Sequence, residues 1–230
     1  MKHQDITLCL TIGKRPELLR QTLNSLLSKT QFKAIIAIND FRDEETNEVF
    51  KELCPEGLLI NLPTQVGHHR AVDEMYSKVQ TPYIFHCEDD WYFDQDIDFD
   101  KYIEILNQNK NATQLCFRKI SDFPFSDEEQ TKIKYIKNEP LNLARLDSLH
   151  DQWHGFTFNP HLASIELWKS LPKGFSEFKK ERHVSRSLRA QNLYTLFLEE
   201  GICHHIGDDH SVANASKKSW LAKWKGKIFG

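Results

Sequence analysis

The chain has 230 residues, 40% hydrophobic and 27% charged, with a formal net charge of −3. This is the make-up of one ordinary folded domain, and so even a charge balance gives no support to a dedicated nucleic-acid binder. Eight Pro, nine Gly and the lack of low-complexity or repeated stretches exclude disordered, collagen-like and solenoid chains.

Strand and helix signals alternate through the first ninety residues. Ile6 to Ile12 is an apolar, β-branched run that reads as a buried strand. Pro16 suits the first turn of a helix, and Leu18, Leu19, Thr22, Leu23, Leu26 and Leu27 follow at helical spacing. Lys33 to Ile38 reads as a second strand ending in Asn39-Asp40. Asp43 then caps a helix carrying Val49, Phe50 and Leu53. Gly57 to Leu62 gives a third strand, Gly67 opens a third helix, and Tyr83 to Cys87 is a fourth strand running into Glu88-Asp89-Asp90. Units of this length imply parallel pairing through right-handed crossovers, hence a doubly wound α/β sheet flanked by helices. Ligands of such sheets lie beyond the carboxyl ends of the strands, where Thr11, Asn39-Asp40 and Glu88-Asp89-Asp90 fall.

The second half is less regular. Asp98 or Asp100 can cap a helix through Leu106, Thr113 to Phe117 reads as a strand, and residues 121–152 give no clear assignment. Asn159-Pro160 is a turn signal. Glu181 to Glu200 reads as a helix ended by Gly201, with Ile202 to Ile206 as a last short strand. No linker interrupts the chain, so residues 1–216 are taken as one domain with a nucleotide half (5–105) and an acceptor half (106–216).

Seven carboxylates fall between Glu88 and Asp100. Asp94, Asp96, Asp98 and Asp100 fit a solvated face. The three consecutive acids directly follow a buried strand and repel one another unless a cation lies among them. A hard divalent cation such as Mg²⁺ or Mn²⁺ binds through one or two such carboxylates together with substrate phosphates.

Four segments, in order, resemble glycosyltransferases of family 2 with the GT-A fold. Thr11-Ile12-Gly13-Lys14-Arg15-Pro16-Glu17-Leu18-Leu19 is similar to their first loop, and Ile36-Ala37-Ile38-Asn39-Asp40 to their second strand with its terminal aspartate. Residues Gln65 to Asp73 resemble their N-x-G-x-x-x-A-x-N helix start, with Gln65 and Asp73 in place of the usual asparagines. Glu88-Asp89-Asp90 stands where the family has its D-x-D motif. The resemblance covers residues 5 to about 105 well and the remainder loosely. It implies a GT-A-like, mostly parallel sheet and a metal-dependent, inverting transfer of sugar from a nucleoside-diphosphate sugar to a hydroxyl acceptor. It further implies that Thr11, Arg15, Asp40, Gly67, Arg70, Glu88 and Asp89 bind the donor. Asp90, Glu88 and His205 would hold the metal. A catalytic carboxylate belongs at the start of the helix before the last strand; Glu181 matches that place best and Glu177 second. Trp153, His154, Phe156 and Asn159 resemble the aromatic-rich loop that receives a glycan or glycolipid acceptor.

A sugar-nucleotide nucleotidyltransferase shares this sheet but carries a longer Gly-rich loop after its first strand than Gly13-Lys14-Arg15. A silent nucleotide- or carbohydrate-binding module is the non-enzymatic alternative. No zinc-ligand spacing organises the eleven histidines.

The longest apolar run, Ala34 to Ile38, falls far short of the roughly 20 residues of a membrane-spanning helix. The first residues lead straight into a strand-like run, so no secretory leader is expected. Cys9, Cys54, Cys87, Cys116 and Cys203 form no CxxC pair and read as buried thiols of a reducing compartment, which points to the cytoplasm. Residues 217–230 hold five Lys and no acid, so the remainder carries −8 (−3 minus 5). On a helical wheel Trp220, Leu221, Trp224 and Ile228 cluster and lysines flank them, the pattern of a helix lying in an anionic membrane surface. Peripheral work at the inner face of the cytoplasmic membrane, on a lipopolysaccharide- or capsule-type acceptor, is the resulting expectation.

Overall fold

The computed structural model describes residues 2–138 and 140–207. Each expected unit of the first half forms: β1 (Lys2–Ile12), α1 (Pro16–Lys29), β2 (Gln31–Asn39), α2 (Glu44–Leu53), β3 (Leu58–Asn61), α3 (His68–Tyr76) and β4 (Tyr83–Glu88). Local chemistry sets the boundaries. Pro16 opens α1, where its missing N–H costs nothing. The Asp43 carboxylate accepts from the Thr46 amide at 3.1 Å and starts α2.

The second half adds β5 (Trp91–Phe93), α4 (Phe99–Gln108), β6 (Ala112–Cys116), α5 (Asp127–Gln130), β7 (Lys134–Ile136), β8 (Leu143–Arg145), β9 (His161–Ser164), α6 (Ile165–Lys169), α7 (Glu181–Ala190), β10 (Tyr194–Leu198) and β11 (Cys203–His205). Asp98 is the α4 cap, accepting from the Lys101 amide at 3.2 Å. Nine strands make one sheet in the order β3-β2-β1-β4-β9-β6-β10-β8-β7, and β11 pairs with β5 in a separate ribbon. Strands β3, β2, β1, β4, β6, β10 and β7 point one way, while β9 and β8 run against them. The sheet is thus mixed but mostly parallel, as the repeated strand–helix units require.

Both faces of the sheet are covered. Leu8, Leu10, Phe85 and Cys87 pack on one side against Leu19, Leu23, Val49, Phe50 and Phe99 of the helices. Cys9, Ile36, Ile38 and Ile84 alternate with them and pack on the other side against Val72, Met75, Val184 and Leu188. All five cysteines are free and buried. No helix among the described residues is long and apolar enough to cross a membrane.

One element departs from expectation. The helix read over residues 181–200 stops at Ala190, Asn192 turns the chain with a φ of 59°, and Tyr194–Leu198 becomes a strand between β6 and β8. Thr195, Leu196, Phe197 and Leu198 are all buried, and an apolar run covered on both faces carries no period that separates strand from helix. The unassigned stretch 121–152 supplies α5 and the β7–β8 pair that extends the sheet at its edge.

Candidate active site

Thr11 lies opposite Glu88 in the parallel pairing of β1 with β4, so the loop after β1 and the acids after β4 leave the sheet side by side. The Gly13 amide donates to Asp89 Oδ2 at 2.8 Å. A Cβ at Gly13 would collide with the Phe41 ring, so only glycine lets the loop pass this close. Next in the loop, the Arg15 guanidinium forks across the cluster: Nη2 donates to Asp89 Oδ1 and Nη1 to Asp90 Oδ2. Its side chain is 17% exposed, whereas that of Asp89 is fully buried.

β11 supplies the far wall. Its antiparallel register with β5 sets His205 opposite Trp91, the residue after Asp90. His205 Nε2 therefore reaches Asp90 Oδ2 at 3.0 Å, and the Ile206 amide donates to the Asp90 carbonyl at 2.9 Å. Gly207 follows where any side chain would press on the acid, since a Cβ would stand 2.7 Å from Asp90 Oδ2. Beneath, the Thr22 hydroxyl accepts from the Trp91 amide at 3.1 Å and that of Ser25 from the Phe93 amide at 3.2 Å, so α1 fixes β5 from below.

The three acids titrate differently. Burial, reinforced by Asp90, pushes Glu88 up to about 7. Burial pushes Asp89 up to about 7 despite Arg15. Burial also opposes ionised Asp90, but the hydrogen bond from His205 and the Arg15 charge outweigh it and hold that carboxyl below the usual range.

Among the described residues no group of three or more His, Cys, Asp or Glu forms a ready-made metal cage. The donors present do suit a partial one. Asp90 Oδ1 is buried without a hydrogen-bond partner among the described residues, and His205 Nε2 is beside the same carboxylate. Mg²⁺ and Mn²⁺ take one or two such protein ligands and complete their shell with substrate phosphates and water. Asp90 and His205, with Glu88 adjacent, fit that mode.

Asp40 and Arg70, also expected at the donor, differ in their surroundings. Asp40 accepts the Val66 amide at 2.7 Å and the Gly67 amide at 2.8 Å, tying the end of β2 to the start of α3. Arg70 is exposed and lines a cavity of about 460 Å³ with Asp73, Trp168, Lys169 and Lys173. Asp73 accepts from Trp168 Nε1 at 2.8 Å, the Phe175 amide at 2.7 Å and the Ser176 amide at 2.8 Å. Three donors on two oxygens need a carboxylate, which accounts for Asp where the family has Asn.

Of the candidate bases, Glu177 is exposed at the end of the 3-10 turn Gly174–Glu177 that Asp73 anchors. Glu181 is half-buried at the first position of α7, and its charge reaches Cys116 at the carboxyl end of β6. The residues expected at the acceptor side divide by exposure. Trp153 and Phe156 belong to the core, 5% and 2% exposed, and the Trp153 indole donates to the Phe156 carbonyl at 2.8 Å. Their rings pack against Phe123, Phe158 and Phe175. His154 and Asn159 remain half-buried, and Asn159 Oδ1 accepts from Arg118 Nη1 at 3.3 Å. Arg118, which no sequence pattern singles out, has its guanidinium 4.2 Å from the Phe123 ring centre and 5.8 Å from that of Trp91. It links the loop carrying Asn159 to Trp91, the residue after the acid cluster. The basic segment 217–230 lies outside the described residues.

The fold recurs among solved structures, two of which show the extent of the likeness. A mannosyltransferase from Pyrobaculum calidifontis, determined with GDP-Man and Mn²⁺, superposes with a TM-score of 0.63 at 10% identity, over 90% of this chain and 58% of that one. S. aureus TarS, residues 1–349, gives a TM-score of 0.52 at 10% identity, over 84% of this chain and 60% of that one. This chain thus spans less than two thirds of either. No curated protein sequence gives a significant match. The family model described as glycosyl transferase family 2 matches residues 8–167, and the chain accordingly belongs to that family.

Proposed function

We propose that this chain transfers a sugar from a nucleoside-diphosphate sugar to a hydroxyl of a glycan or glycolipid acceptor, inverting the anomeric carbon and using Mg²⁺ or Mn²⁺. The observation that carries the reading is the convergence of Arg15, Glu88, Asp89, Asp90 and His205 at the carboxyl edge of the sheet. Anionic donors bind at such an edge. Family membership and the GDP-Man and Mn²⁺ held by the Pyrobaculum relative support it.

In this reading Thr11 and Asp40 face the nucleoside, Gly67 and Arg70 the sugar–phosphate end, and Arg15 the diphosphate. Asp90 and His205, with Glu88, hold the cation. When bound, the cation neutralises charge developing on the departing nucleoside diphosphate. Glu181 takes the proton of the acceptor hydroxyl as its oxygen bonds to the anomeric carbon. The bond from that carbon to the diphosphate breaks, and its electron pair leaves with the nucleoside diphosphate. His154 and Asn159 border the acceptor side. The Lys-rich residues 217–230 are assigned, on sequence grounds, to an anionic membrane surface carrying a lipid-linked acceptor of a surface glycan.

The test is tryptophan fluorescence of the chain titrated with UDP, GDP, ADP and CMP, with and without Mn²⁺, followed by nucleoside-diphosphate release from a panel of nucleotide sugars. Metal-dependent binding of one nucleoside diphosphate is expected. No binding of any of them overturns the reading. Vesicle binding that survives deletion of residues 217–230 overturns the membrane assignment.

A further inference from the structure

We propose that Arg15 is a resident counter-ion of the Glu88–Asp89–Asp90 cluster, holding the place of a divalent cation and giving it up only to a diphosphate. The inference deepens the proposed function and rests on its reading of the site as one for cation and diphosphate together.

Three observations carry it. The Arg15 guanidinium bridges Asp89 and Asp90, so the cationic position between the two buried acids is already filled from within the chain. Second, Asp90 Oδ2 is shared by Arg15 Nη1 and His205 Nε2. For His205 to ligate a metal through Nε2, that nitrogen must offer its lone pair instead of a proton to the oxygen, so the hydrogen bond seen here and a metal bond exclude each other at this atom. Third, the Arg15 side chain stays 17% exposed above the fully buried Asp89, and its Nε is buried without a hydrogen-bond partner among the described residues. A planar fork with unused donors is suited to a diphosphate.

The charges give the order of events. A dication entering beside Arg15 meets a fixed positive charge in a poorly screened site and is disfavoured. A diphosphate offers the guanidinium a second set of oxygens, draws it off Asp90, and frees that carboxylate and His205 for the cation. Cation and diphosphate therefore bind cooperatively, and by linkage each raises the other's affinity by the same factor. Lys14 and Pro16 flank Arg15 and limit its swing: the Lys14 amide donates to Asp43 at 2.8 Å, and Pro16 starts α1.

The experiment measures Mn²⁺ binding to the full chain at pH 8 without nucleotide, by the paramagnetic resonance signal of free Mn²⁺. Arg15→Gln and Arg15→Met, the latter keeping the aliphatic bulk, remove the charge; Arg15→Lys keeps it. Circular dichroism melting identifies the folded variants, and either neutral variant decides the matter. The neutral variants are expected to bind Mn²⁺ about tenfold tighter than the parent, within the usual range of coupling between sites, while Arg15→Lys stays close to the parent. A folded neutral variant that binds Mn²⁺ no tighter than the parent overturns the inference. Because this arm holds no nucleotide, a failure of UDP, GDP, ADP or CMP to bind counts against the proposed function separately.

Discussion

His205 and Asp90 are 115 positions apart in the chain, and Nε2 of one lies 3.0 Å from Oδ2 of the other. The pairing of β11 with β5 makes this contact, since no local element could bring the two residues together. If they share a metal-binding role, their loss is felt unequally. Asp90→Asn keeps the shape but removes a charge with an unpaired buried oxygen, and donor turnover should fall by about 10²–10³. His205→Gln should cost roughly 10–100-fold, with part of the loss recovered at high Mn²⁺. Nucleoside-diphosphate release across a Mn²⁺ series checks both; a His205→Gln enzyme with unchanged Mn²⁺ dependence would make the histidine a structural partner only.

Gly207 leads to a second expectation. A methyl group there would stand 2.7 Å from Asp90 Oδ2 and 2.8 Å from Asp90 Cβ, well inside contact distance. Neither neighbour is free to retreat, because Asp90 is held by Arg15, His205 and the Ile206 amide. Gly207→Ala should therefore destabilise the fold by about 1–3 kcal/mol and weaken Mn²⁺ binding in the same variant. Urea unfolding and a Mn²⁺ titration at pH 8 measure the two effects. A variant stable as the parent, with unaltered Mn²⁺ affinity, would mean that β11 moves aside without affecting the acid.

The sequence showed the acid cluster because three consecutive carboxylates directly after a buried strand repel one another unless a cation lies among them. It showed β1 to β4 because each strand–helix unit carries its own cap or breaker, such as Pro16 and Asp43. It hid β10, whose residues Thr195 to Leu198 are covered on both faces and so lack a period. Aromatic composition made Trp153 and Phe156 look like an acceptor platform, yet composition cannot say which side of a ring faces solvent; packing with Phe123, Phe175 and Phe158 put both inside. Arg118 stayed hidden for a related reason, since its partners Asn159, Phe123 and Trp91 lie in three separate segments.

Asp73 makes a third test. Its carboxylate holds the indole N–H of Trp168 and the amides of Phe175 and Ser176, locking the turn before α7 onto α3. In Asp73→Asn one oxygen can still accept from Trp168 and Phe175, but the amide nitrogen faces the Ser176 N–H, donor against donor. Loss of one hydrogen bond with an opposed donor should cost about 1–3 kcal/mol. Thermal melting reads this cost, and nucleotide binding at the acid cluster should be unchanged. Weakened nucleotide binding instead would make the turn part of the donor site.

The last expectation concerns pH. His161 is 3% exposed, stacks on buried His86 with ring centres 5.2 Å apart, and is pushed down by burial to about 4. An unfolded histidine titrates near 6.5. Between these values the unfolded chain binds a proton that the folded chain refuses. Stability from this residue is thus complete above about pH 6.5 and is lost as pH falls toward 4, by up to about 3 kcal/mol. Burial holds His86 well below its ordinary range too, with the same sign. Glu88 and Asp89, both raised to about 7, act in the opposite sense: over roughly pH 4–7 the folded chain keeps protons that the unfolded chain releases. The histidine contribution is therefore best isolated by difference. In His161→Phe the acids are unaltered, so the change in unfolding free energy on going from pH 7 to pH 5 should be more favourable than in the parent by about 1–2 kcal/mol. Urea unfolding of both proteins at the two pH values measures it, and equal changes would mean that the imidazole stays wet enough to take its proton in the folded state.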